Sequence, residues 1–159
     1  MAITYSTNNV LEAVKGQIEK VAKEYFDAVL LFDGELSQAI TSHVSQPVYG
    51  VMKTFAFVAI SDHVPDFSTG SGSELRPVIN VDIHVVVRAD GKGRYLGDRI
   101  RLLDAVDCVI QEVFHCDNRD ADYNNVIVST KFESRQRQDT GEAVLSHIIR
   151  YNLTVSRNA

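Results

Sequence analysis

The stretch VINVDIHVVVRA, residues 78 to 89, restricts the fold of this chain more than any other. Ile79, Val81, Ile83, Val85 and Val87 fall on every second position, with Asn80, Asp82, His84, Val86 and Arg88 between them. Successive side chains of a β-strand point to opposite faces, so the alternation predicts a strand with one apolar face and one mostly polar face. Such a strand suits an antiparallel or mixed sheet covered on one side, with the other side exposed or lining an interface.

The rest of the chain supplies the partners. Asn9 and Glu12 have capping-box spacing, and Leu11, Val14, Ile18, Val21, Ala22 and Tyr25 recur at helical steps. This predicts an amphipathic helix over 9–26. AVLLF at 28–32 reads as a short strand, and the following GELSQAITSHVSQPVYG as a loop holding a short helix or an irregular edge segment. KTFAFVAIS at 53–61 is apolar on both faces, which predicts a strand that is central or covered on both sides. Residues 62–77 carry Pro65, Gly70, Gly72 and Pro77 and read as a long flexible loop. A second helix is expected from Asp98, as its cap, to His115, with Leu96, Ile100, Leu103, Val106, Ile110, Val113 and Phe114 as its stripe. CDNRDADYNN breaks that pattern. Strands at 126–135 and 143–156 then form a hairpin bending at Asp139-Thr140-Gly141, with an arm around 134–142 that projects from the body.

This order predicts an α/β fold of the α+β type. It has a mixed, mainly antiparallel sheet, two helices packed on one face and a projecting C-terminal hairpin. A length of 159 residues fits a single domain over 1–159. The net charge of −5 speaks against a general nucleic-acid binder, since Arg94, Arg99 and Arg101 sit among acids rather than in a basic stripe. Two cysteines, Cys108 and Cys116, are too few for a disulfide-rich scaffold, and either free thiols or one disulfide fit them. MAITYSTNN lacks the basic and apolar regions of a secretion signal, and no run of about eighteen apolar residues suggests a membrane span.

Motifs for chemistry fail one by one. Gly70-Ser71-Gly72-Ser73 lacks the lysine and helix of a phosphate loop. His43, His63, His84, His115 and His147 show no ligand spacing within one helix. A calcium loop counted from Asp120 through Asp122 and Asn124 has Asn125 where Gly is needed and Lys131 where Glu is needed. No nucleophile elbow is present. Asp82 and His84 share a strand face, which reads as an interface or solvated face in preference to a catalytic dyad. Arg135, Arg137 and Asp139 make a mixed-sign arm suited to docking on a neighbour. Arg88 and Arg94 join them as interface candidates, being basic residues near turns or on exposed strand faces. The sequence therefore carries no catalytic, cofactor or metal assignment.

Four segments together resemble the small tail terminator and tail-completion proteins, or minor tail proteins, of long-tailed bacteriophages. They are NNVLEAVKGQIEKVAKEYFD, VINVDIHVVVRAD, LGDRIRLLDAVDCVIQEVF and KFESRQRQDTGEAVLSHIIRYNLTVS. The resemblance covers most of the chain as a pattern of elements, without a diagnostic motif. It implies a non-enzymatic structural protein of the virion tail, assembled in the host cytoplasm. It also implies a homo-oligomeric ring, a hexamer, that ends tube growth. Its partners would be the tail tube protein and a head–neck connector, with DNA passing through the lumen unbound, and no cofactor or membrane is implied. Another neck, connector or adaptor subunit is the alternative, and an enzyme with a dispersed site a third.

Overall fold

The alternating stretch forms the spine of a six-stranded sheet in a computed structural model of the chain. The structure describes residues 6–31, 53–60, 66–69, 75–88, 95–138 and 144–156. The strands are β1 (Ala28–Leu31), β2 (Thr54–Ile60), β3 (Asp66–Thr69), β4 (Leu75–Arg88), β5 (Ile127–Arg137) and β6 (Val144–Val155). Their order is β1-β2-β4-β6-β5, and β3 pairs with the start of β4. β1 runs parallel to β2, and every other pairing is antiparallel. The architecture is the mixed α+β fold expected from the sequence.

The helices are α1 (Thr7–Val21), α2 (Tyr95–Cys108) and a short α3 (Ala121–Val126). Val10, Val14 and Ile18 of α1 and Leu102, Ala105 and Val106 of α2 join Val81, Ile83, Val85, Val87, Ile149 and Leu153 in one buried cluster. The apolar face of β4 is thus the floor on which the helices lie. On β2, Ala56 and Val58 face this core. Phe55 and Phe57, on the opposite face, are also fully buried. This strand is covered on both sides, as its composition predicted.

Several local readings need correction. Ser6, not Asn9, caps α1: its Oγ accepts the Asn9 amide at 3.3 Å, and the helix ends at Val21 instead of running to 26. Asp98 does not cap α2. It sits inside the first turn, 3% exposed, where Lys53 Nζ meets its carboxylate at 2.6 Å. The stripe of α2 is also rotated. Leu96 and Ile100 are 74% and 49% exposed, whereas Leu102, Ala105 and Val109 are buried. Within the span read as a loop, Asp66–Thr69 pairs with Leu75–Val78 and extends the sheet. The break after α2 contains α3, capped by Asp120, whose Oδ1 accepts the Tyr123 amide at 2.9 Å. Residues 33–52 lie outside the described residues, so the reading of GELSQAITSHVSQPVYG does too.

The end of α2 shows how a buried polar residue fits the packing. The helix continues as a π-helical turn, Val109–Val113. Gln17 of α1 is 2% exposed, and its amide donates to the Val113 carbonyl at 2.8 Å and the Asn118 carbonyl at 2.9 Å. A buried carbonyl without a donor is costly, so this one side chain ties α1 to the irregular end of α2.

Candidate assembly surface

β5 is the last strand of the sheet and is paired only through β6. Its eleven residues are exposed except for Ile127, which is buried, and Thr130 and Ser134, which are half-buried. A long edge strand presents backbone groups and side chains that a neighbour can cover. Val128 and Phe132 are each 45% exposed, and large apolar side chains on an open edge favour contact.

The pairing with β6 slips between Phe132 and Ser134. Ordinary alternation would place Phe132 and Arg135 on opposite faces. The bulge adds one residue, so Phe132, Arg135 and Arg137 sit opposite Tyr151, Ile149 and His147 respectively. All three therefore lie on the helix-bearing face. The Phe132 ring packs edge-on against Tyr151 with centroids 5.9 Å apart, and Arg135 Nη1 reaches Asp107 of α2 at 3.5 Å. The first part of the expected arm, 134–137, is thus held in the sheet, and 139–142 lie outside the described residues.

The other candidates are elsewhere. Asp82 and His84 lie on the central strand, on the face away from α1 and α2, and each is only 8% exposed. The expectation that this polar face stands open is corrected by what lies beside it. Arg150, directly across on β6, grips both Asp82 oxygens at 2.8 and 3.1 Å. A bidentate pair lets a carboxylate be buried without losing its hydrogen bonds. Burial holds the His84 imidazole below its usual range, with Asp82 pulling upward and Arg150 pushing downward. Asp82 is occupied by its cation, and no catalytic signature is evident among the described residues. Arg88 places its guanidinium carbon 6.0 Å from the centre of the Phe55 ring. Arg94 and Asp139 lie outside the described residues. The structure therefore brings together Arg135 and Arg137 at the edge, and Asp82 and His84 at the centre, on opposite faces.

His115, Cys116 and Asp117 bring possible metal-ligand atoms within 4.8 Å of one another, all exposed on one turn. His115 Nδ1 already accepts the Asp117 amide at 3.2 Å, so this nitrogen closes the turn. Cys108 is buried, Cys116 is exposed, and both are free.

Phe132 was missed as part of this surface. The only sequence signal was an aromatic residue in an otherwise charged strand. Its alignment with the arginines depends on a bulge that no glycine marks.

No family model and no curated protein matches the sequence. Among solved structures, the chain is similar to one from the "Virion of native gene transfer agent (GTA) particle". The two are 14% identical with a TM-score of 0.47, over 96% of this chain and 98% of that one.

Proposed function

We propose that this chain is a structural subunit of a virion tail that assembles into a closed ring, caps the tail tube and ends its growth. The observation that carries the reading is the β5 edge: eleven residues, mostly exposed, with Phe132 and Val128 on them. The surface suits a neighbouring copy. The resemblance of the four sequence segments to tail terminators supports the tail as the setting. A ring of this kind, a hexamer, uses a head-to-tail contact that closes by rotation. Its outer faces would meet the tube protein on one side and a neck connector on the other. The residues that join copies would be Arg135 and Arg137, with Arg88, Arg94 and Asp139 as further candidates. Asp82 and His84 would act indirectly, by fixing the register of β4 against β6.

Light scattering on a sizing column, across a range of protein concentrations, tests the ring. A discrete species of about six subunits is expected for a closed ring. A monomer at every concentration, with or without tail tube protein present, would contradict it.

A further inference from the structure

We infer that copies of this chain meet through two specific surfaces. The Phe132–Arg135–Arg137 stripe of one copy packs into an acidic groove between α1 and α2 of another. The inference rests on the assembly reading above and names its contact.

The groove is a feature of the helix layer. Tyr25, just beyond α1, and Ile100 of α2 line it and are 42% and 49% exposed, an unusual cost for large apolar side chains without a cover. Glu24, Asp104, Asp107 and Glu112 surround them, with Arg101 as the cation among the lining residues. Tyr25 and Asp104 are common to both halves, so the two hollows form one trough. Glu24 comes from the α1 side and Glu112 from the end of α2, and both raise the Cys108 thiol, after burial itself. The two carboxylates thus face the same point from opposite walls.

The stripe is complementary in both respects. It offers one half-exposed aromatic ring and two guanidinium groups on a single face, aligned by the bulge in β5. Arginine suits this task because its flat fork pairs with carboxylates and its weak hydration lowers the cost of covering it. Within the chain, Arg135 makes one 3.5 Å contact with Asp107, at the groove's wall. A second copy therefore brings cations to an acidic site that its own chain satisfies only at one margin. Opposite charge across such a contact fixes register and partner choice, and the aromatic and aliphatic groups supply the burial.

A charge exchange tests the pairing in the full-length chain. One variant carries Arg135→Glu and Arg137→Glu, and a second carries Glu24→Lys and Asp104→Lys. Circular dichroism and thermal melting first establish that each is folded. Light scattering then follows each alone and an equimolar mixture. Each variant alone is expected to need about tenfold more protein to assemble, since like charges then face each other. The mixture restores wild-type assembly, because every contact between unlike copies is again acid against base. Should one variant fail to fold, Phe132→Ser and Ile100→Ser serve in its place, each weakening assembly. Assembly by both charge variants at the wild-type concentration would overturn the inference and leave the ring intact as a reading. Wild-type protein that never assembles would instead remove the ring reading itself. A groove-dependent dimer would uphold this contact and overturn the ring.

Discussion

The centre and the edge of one sheet are built differently. At the centre, Ile83, Val85 and Val87 of β4 are fully buried on one face, and Phe55, Phe57 and Val86 are fully buried on the other. Even the polar residues there are accounted for, Asp82 by Arg150. At the edge, β5 keeps one pairing partner, holds Phe132 and Val128 half in solvent, and gathers arginines on one face by a bulge. The contrast teaches that the fold is stabilised by strands finished within a single chain. The last strand stays available to something else.

Aromatic truncation should widen the contrast most. Phe57→Ala should lower unfolding free energy by about 4 kcal/mol, the usual cost of emptying a buried phenylalanine site. Phe132→Ala should cost about 1 kcal/mol, since half of that ring is already wet and only its packing on Tyr151 is lost. Urea unfolding of both variants measures the difference, and equal losses would erase the distinction between centre and edge.

The polar part of the centre comes next. Asp82→Ala removes the acceptor for a half-buried guanidinium, with an expected loss of about 2 kcal/mol by the same assay. Replacing Arg135 by Ala at the edge should leave the midpoint nearly unchanged, because its contact with Asp107 is long and exposed.

Acid should act on the centre through His84. Burial lowers its folded pKa below the ordinary value of about 6.5, so the unfolded chain takes up the proton first. Its contribution is complete above that value and is lost as pH falls from there to the lowered folded pKa. The wild type should lose more stability between pH 7 and pH 5 than His84→Gln, measured by urea midpoints at both. An equal loss in the two proteins would exclude His84 as the source.

The smallest effect lies away from the sheet. Gly16 sits within α1, and a Cβ there meets nothing within 4 Å. Gly16→Ala should therefore raise stability by about 0.5–1 kcal/mol through helix propensity alone. A loss would mean that the helix packs more closely at this point than described.

These differences explain what could be read from the sequence. Strand β4 was legible because strict alternation reports burial directly, and β2 because a doubly apolar strand has to be covered. The ends of helices were not. Ser6 and Asn9 are both good caps, and only the geometry selects one. Asp98 looks like a cap, yet Lys53 draws it into the interior. The stripe of α2 was misjudged because Leu96 and Ile100 have the right spacing but face the groove instead of the core. Gln17 was invisible as a core residue, since its burial depends on two carbonyls about a hundred positions away. Arg135 and Arg137 were legible as basic residues on an arm, but their alignment with Phe132 is a product of the bulge.

Hydrogen exchange on the wild-type protein, compared between dilute and assembled samples, tests the central claim most directly. The account predicts that amides of β5 and of the 97–112 stretch of α2 become slower on assembly, while β2 and β4 stay as slow as they were. Unchanged exchange in β5, with new protection confined to other surfaces, would contradict it.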